Sequence, residues 1–335
     1  MINTNQSILI TGATGFLGSY IIRSLLSQGY HKLYATHRSS SSFDLLSDVK
    51  KQLRWIELDL THDFIEMDEI DQIDVIIHAA SLVSLDKKDK AKLFSANIEG
   101  TASLINFALE KKVNRFIYIS SATALGKAGD QRFIDENTEW DEAADLSEYA
   151  VSKQYAEREV YRGMMEGIDV IILNPSMIIG VGPWDQPPLT LFGLIRNGLS
   201  FYTTGSTGIV DVRDVAYMTS LMVSEEKYLG QKIILSADNI SFKKLNEQIA
   251  RSFKVKAPSR ALGYGLSVLA RVFDYVKSVV SSHKRIITKQ SVEIAQHPYL
   301  YDNSKSKSVD GFSYRSVEES IEEVCQAWVE SHENI

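Results

Sequence analysis

Cysteine is almost missing from this chain. Of 335 residues only Cys325 carries a thiol, which excludes an intramolecular disulfide framework. Its neighbours Ile321 and Trp328 recur at helical spacing and predict a buried, inert group. Proline is sparse too, and Pro175, Pro183, Pro187 and Pro188 crowd one stretch with Gly180 and Gly182, where loops shaped around something are expected. Neither charge sign dominates: 36 Lys and Arg face 43 Asp and Glu, a net charge of −7, so nothing drives the chain toward DNA or RNA. No run reads as a membrane span. The longest apolar stretch, Leu262 to Val280, carries Arg271, Asp274 and Lys277. Leu266, Leu269, Val272, Phe273 and Val276 make it amphipathic, and a core-packing helix is expected, with a lid or a membrane-surface helix as the alternatives. The N-terminus lacks a basic segment followed by an apolar one, so no signal peptide and a cytoplasmic location are expected. The seven histidines show no His-x-x-x-His and there is no Cys-x-x-Cys, so no metal is expected. Gly-x-Ser-x-Gly and the P-loop pattern are absent as well.

What is present is an alternation. Short apolar runs at Ser7–Thr11, Lys32–Thr36, Arg54–Leu58, Asp74–His78, Arg115–Ser120 and Asp169–Leu173 alternate with helical patterns at Phe16–Gln28, Lys88–Lys112 and Ser147–Gly167. This rhythm predicts an α/β fold, a Rossmann-type doubly wound parallel sheet with helices on both faces and a crevice at the strand carboxyl ends. Hydrophobic residues at 44% suffice for a large core. The length allows two domains. Residues 1–174 are expected to form the dinucleotide-binding part, with sheet contributions from about 205–235. Residues 175–335 are expected to form mainly a smaller, interleaved substrate lobe.

The first strand runs into Thr11-Gly12-Ala-Thr14-Gly15-Phe16-Leu17-Gly18. Gly12 permits a tight turn, Gly15 lets backbone approach a pyrophosphate, and Gly18 lets the helix pack against the strand. The helix N-terminus then offers free N–H groups to phosphate. The second strand ends in Thr36-His37-Arg38-Ser39-Ser40, without the carboxylate that holds a ribose 2′-hydroxyl. Arg38 is suited to a 2′-phosphate, with Ser39 and Ser40 as added donors, so NADP(H) is expected over NAD(H). Tyr149 and Lys153 stand one helical turn apart, 137 residues after Gly12. An ammonium near a phenol lowers its pKa from roughly 10 and fits it for proton exchange with a carbonyl or alcohol.

The glycine spacing, together with Tyr149-Ala-Val-Ser-Lys153, resembles the extended short-chain dehydrogenase/reductase family. That resemblance implies further roles. Asp59, with Leu60, ends the third strand and would bond the adenine amino group. Ala79, Ala80 and Ser81 would line the cofactor ribose, and Asn97 in Asn-x-x-Gly-Thr would support the active site. Lys153 would bond the nicotinamide ribose, while Pro175 and the backbone of Ile178 would flank the nicotinamide. Ser120-Ser-Ala-Thr-Ala-Leu-Gly126 is similar to a segment of UDP-galactose 4-epimerase and its relatives, which makes Ser121 the choice for holding substrate oxygen and Thr123 the runner-up. Ala122 and Thr123 replace the Asp-Glu of nucleotide-sugar dehydratases, and Gly205–Ile209 lacks the arginine of the epimerases. The remaining pattern is similar to the dihydroflavonol-4-reductase and hydroxysteroid dehydrogenase branch. It implies reduction of a carbonyl on a small apolar molecule, for which Trp184 and Phe192 would suit a pocket, although residues of this kind are more often core, and a homodimer is usual among such relatives. A nucleotide-sugar epimerase and a non-catalytic NADP-binding regulator are the alternatives.

Overall fold

The computed structural model describes residues 3–61, 70, 72–84, 86–126, 133–141, 146–262 and 295–333. The apolar run after Leu262 lies outside them. In the first half the elements are β1 (Ser7–Thr11), α1 (Phe16–Ser27), β2 (Lys32–His37), β3 (Arg54–Glu57), β4 (Val75–His78), α2 (Lys90–Phe94), α3 (Gly100–Glu110), β5 (Arg115–Ile119), β6 (Phe133–Ile134), α4 (Glu148–Met165) and β7 (Asp169–Pro175). There follow β8 (Met177–Ile179), α5 (Thr190–Arg196), β9 (Phe201–Tyr202), β10 (Ser206–Asp211), α6 (Val212–Leu221), β11 (Lys232–Leu235), β12 (Asp238–Ser241), α7 (Phe242–Ser252), β13 (Arg260–Ala261), β14 (Leu300–Tyr301), α8 (Ser304–Lys307) and α9 (Val317–Glu333).

Seven strands form one parallel sheet in the order β11-β7-β5-β4-β1-β2-β3. The chain winds outward from β1 in one direction and from β4 in the other. The crevice of such a sheet opens where the order reverses, between β1 and β4. Thr11 and His78 stand opposite each other at that point.

The two-sided burial follows from strand periodicity. Ile8 and Ile10 pack with Ile21, Ile22 and Leu25 of α1 and with Val215 and Met218 of α6. Leu9, between them, faces the other way onto Leu104 and Ile105 of α3 and Ala156 and Val160 of α4. Each of these side chains is fully buried, which is worth about 1.5–3 kcal/mol apiece.

Two expectations need correction. The stretch 88–112 is not one uniform helix. A 3-10 turn and α2 lead into a π-helical turn at Ser95–Glu99 before α3. The widened turn re-aims Asn97 inward. The region 205–235 divides. Lys232–Leu235 joins the edge of the large sheet beside β7, whereas β10 pairs with β8 and β12 in a separate three-stranded sheet. Phe192 follows the core reading and is buried with Ile195, Leu245, Ile249 and Trp328, while the half-buried Trp184 packs against that core. Cys325 lies in that same core, where burial pushes its thiol up to about 12.

Candidate active site

The glycine loop sits at the carboxyl end of β1. Gly12 has φ +70°, and a Cβ there would lie 2.6 Å from the amide nitrogen of Ala80. A Cβ on Gly18 would lie 2.1 Å from the Gly12 carbonyl oxygen. Side chains at either position would force the β1 and β4 ends apart or lift α1 off the loop. Gly15 N–H donates to Gly12 O at 3.0 Å and closes the turn through Ala13 and Thr14. Gly15 also heads α1, whose first turn has neither a side-chain cap nor an acidic residue. The amides of the turn that begins with Phe16 and Leu17 are therefore left to an external acceptor. The Phe16 ring packs edge-on against Tyr20 and leaves no room for a side chain on Gly182.

Arg38 follows β2 on the same rim of the sheet and is exposed with Ser39 and Ser40. Its amide donates to Ser41 Oγ at 3.0 Å, and Ser41 N–H returns to Arg38 O at 2.9 Å, a tight turn that holds the guanidinium at the strand end. Asp59 accepts from the Thr61 amide and hydroxyl, which is the capping arrangement. Leu60 is half-buried, and its backbone and Cβ lie 3.0 Å from where a Cβ on Gly100 would stand.

A buried polar chain links the glycine loop to the helices behind it. Thr101 Oγ donates to Asn97 O at 2.6 Å, so it receives from His78 Nε2 at 3.0 Å, and His78 Nδ1 then accepts from Thr11 Oγ at 2.6 Å. The Ala80 amide donates to Thr11 Oγ, and the Ala79 amide to Thr11 O. Burial, with the nearby Lys153 charge, pushes His78 down to about 3, so the imidazole is neutral. The Asn97 side chain bonds both backbone groups of Leu82, accepts from Ser81 Oγ, and donates to Ser152 Oγ. Ser152 Oγ donates in turn to Tyr149 O at 2.8 Å.

Helix α4 starts at Ser147, whose hydroxyl accepts from the Ala150 amide. Tyr149 is thus in its first turn, and Lys153 and Glu157 follow on the same face. The Ser121 and Ser81 side chains stand beside the Tyr149 hydroxyl and favour its ionised form. Ser121 caps the 3-10 turn Ala122–Leu125, and its Oγ is 2.8 Å from Thr123 Oγ. The structure therefore brings together Ser81, Asn97, Ser121, Tyr149 and Lys153. Pro175 is buried at the end of β7, and Ile178 pairs with Val210 in the neighbouring sheet.

One electrostatic expectation fails. Lys153 does not lower the Tyr149 pKa here. Burial raises it, with the two serine hydrogen bonds opposing. The Lys153 ammonium instead donates to Ile119 O at 2.7 Å and lies 4.4 Å above the Tyr118 ring. Burial pushes Lys153 down to about 7, and Glu157 opposes that shift.

Glu157 is a residue that sequence reading missed. It is 1% exposed, and its Oε1 accepts from Ser120 Oγ and from Asn174 Nδ2, which also donates to Ser121 O. Its other oxygen pairs with Lys232 at 2.6 Å. The available signal was the column Tyr149, Lys153, Glu157 at i, i+4 and i+8.

A cavity of about 60 Å³ adjoins this cluster, bounded by Thr123, Leu146, Ala150, Thr207, Tyr299 and Tyr301. A larger groove, about 730 Å³, lies away from it among α5, α7 and α9, with ion-paired walls such as Arg196–Glu333.

Comparison with known proteins agrees with this geometry. The sequence profile of the NAD dependent epimerase/dehydratase family matches residues 8–230. The chain belongs to that family. A Synechocystis sp. protein named provisionally as a dihydroflavonol 4-reductase is 27% identical over 333 residues, covering 96% of this chain and 94% of the relative. Cinnamoyl-CoA reductase CAD2 of Medicago truncatula is 30% identical over 237 residues, covering 64% and 71%. The crystal structure of gox2253 superposes with a TM-score of 0.81 at 26% identity, covering 98% of this chain and 99% of that one. Members of this family are NAD(P)-dependent oxidoreductases, epimerases and dehydratases. Among the described residues no helix is long and apolar enough to cross a membrane.

Proposed function

We propose that this protein is an NADP(H)-dependent reductase that interconverts a carbonyl and a secondary alcohol on a small, mainly apolar substrate. The observation that carries the reading is the Tyr149 side chain in the first turn of α4, with the Ser121 and Ser81 side chains beside its hydroxyl. The cradle fits a dinucleotide. Gly12 and Gly18 have no space for a Cβ, and the first turn of α1 is uncapped. When bound, the nicotinamide supplies or accepts the hydride. Gly12, Thr14, Gly15, Phe16, Leu17 and Gly18 would hold the pyrophosphate, and Arg38 the 2′-phosphate. Asp59 and Leu60 would meet the adenine, Ala79, Ala80 and Ser81 the ribose, and Pro175 and Ile178 the nicotinamide. Residues 1–174 would carry most of these contacts and 175–335 most of the substrate's.

The chain's own residues divide the work. Burial keeps the Tyr149 phenol protonated at neutral pH, so it is set up to donate a proton to a carbonyl oxygen as that oxygen gains charge. Ser121 donates to the same oxygen and stabilises the developing charge. Lys153 supplies donors to the ribose hydroxyls. Asn97 ties the Ser81–Leu82 backbone to α4 and fixes where Tyr149 begins. The tyrosine and leucine faces around the adjoining cavity suit an uncharged substituent.

The test is NADPH oxidation against panels of ketones, aldehydes and flavanonols, with UDP-sugars as the control set. Turnover of an apolar carbonyl supports the reading. Thermal stabilisation by UDP-sugars, with no carbonyl reduced, would replace it with an epimerase. Arg38→Glu is expected to raise KM for NADPH at least tenfold while changing that for NADH little, and an unchanged preference removes Arg38 from its role.

A further inference from the structure

Glu157 lies too deep to touch substrate, yet it is charged, and three groups converge on it. Burying an isolated carboxylate is expensive, and such a group persists only when paired and hydrogen-bonded. Here Lys232 reaches it from β11, Ser120 from the end of β5, and Asn174 from β7. Two of those three adjoin the reacting cluster. Ser120 precedes Ser121, and Asn174 holds the Ser121 carbonyl at 3.0 Å.

The other neighbour is Lys153, one turn earlier on α4 and itself 1% exposed. The groups around its ammonium can be named from every side. On its own helix stand Tyr149 and Glu157. From β5 come the Tyr118 ring and the Ile119 carbonyl, and from β4 the neutral His78. Glu157 is the one anion in this set, and Lys232 is the cation behind it. Without a nearby negative charge, an ammonium this deep sheds its proton below neutrality.

We propose that Glu157 is a positioning residue that holds Lys153 in its charged form and anchors the Ser120–Ser121 strand end, with Lys232 as the partner of its carboxylate. This rests on the reading of Tyr149 and Lys153 as the working pair, but its test does not need turnover. Protein carrying 13C at lysine Cε is titrated by NMR, the Lys153 resonance being the one missing from Lys153→Arg. The wild-type midpoint is expected near 7. In Glu157→Gln/Lys232→Met, which removes both charges, the midpoint falls by about one pH unit, because the nearer charge dominates. The alkaline limb of kcat/KM follows that shift, so that the double variant loses about tenfold at pH 8. A purely structural role for Glu157 would lower Tm and leave the midpoint where it was. An unmoved midpoint in the folded double variant overturns the proposal. If the midpoint moves as expected and no carbonyl is reduced, the assignment of Glu157 stands and the reductase reading falls.

Discussion

Replacing Lys153 with methionine should make this protein more stable and leave it inactive. The ammonium is buried, and its pKa falls from 10.5 to about 7. A shift of three to four units is worth about 5 kcal/mol at roughly 1.4 kcal/mol per unit. That figure is an upper bound on the strain relieved at pH 6, since methionine also forfeits the hydrogen bond to Ile119 O, worth about 1–3 kcal/mol. A net gain of about 2–3 kcal/mol is expected. Glu157 is not orphaned by the change, because Lys232 remains paired with it. The direction with pH is fixed by linkage. The unfolded chain keeps the Lys153 proton until about 10.5, while the folded one releases it near 7. Between these values the unfolded state binds more protons, so wild-type stability rises with pH. Urea titrations of both proteins at pH 6 and pH 9 read this directly, and taking the difference cancels every other titrating group. The methionine advantage should shrink by about 3 kcal/mol across that interval, two pH units of it lying above 7. An advantage that is constant with pH, or a variant less stable than wild type at pH 6, would refute the account of Lys153 as a buried, strained cation.

Tyr149→Phe is expected to lower kcat/KM at least a hundredfold while changing the fluorescence-measured Kd for NADPH less than threefold; substantial residual turnover would take the acid–base role from it. Gly12→Ala places a methyl 2.6 Å from the Ala80 amide at φ +70°, so both NADPH affinity and Tm should fall, and an unchanged Tm would mean the loop does not seat as described. Leu9→Ala removes a fully buried side chain between β1 and the α3–α4 layer and should cost about 2–5 kcal/mol in a urea titration, with the activity of the folded fraction kept.

Most of the fold was legible because its signals are local. A fully buried parallel strand reads as an uninterrupted apolar run, and β1, β4, β5 and β7 each do so within a few residues of their observed ends. Gly15 and Gly18 were legible for the same reason, since their need for space arises against Gly12 and Ala13 within seven residues, whereas Gly12 is crowded by Ala79 and Ala80, far along the chain. Trp184 and Phe192 could be weighed only as core over pocket, because a large apolar side chain looks the same lining a cavity as filling a core, and for Phe192 the packing of α5 against α7 and α9 distinguishes the two. The division of 205–235 between two sheets was likewise invisible, since it depends on which neighbour is already paired along β7 and β8.

The candidate site shows the same limit at higher stakes. Tyr149 and Lys153 are four residues apart and could be read together. Their electrostatics could not, because the groups that decide them are remote in sequence. The Lys153 proton donates to Ile119, 34 residues away, and the Glu157 charge is matched by Lys232, 75 residues away. Sequence reasoning therefore assigned the ammonium to the phenol, its nearest titratable neighbour, whereas the fold gives it a carbonyl on the adjoining strand. The same geometry changes what the phenol does. A tyrosine tuned downward by an adjacent cation would work readily as a base. One held up by burial and bonded to two serines keeps its proton and works as an acid. A phenol that keeps its proton is in the form that carbonyl reduction needs, and comparing the alkaline limbs of the forward and reverse reactions tests this reading of Tyr149. The carbonyl-reducing direction should persist to pH 8 where the alcohol-oxidising direction is still rising, and two coincident profiles would return the Tyr149 pKa to the control of Lys153.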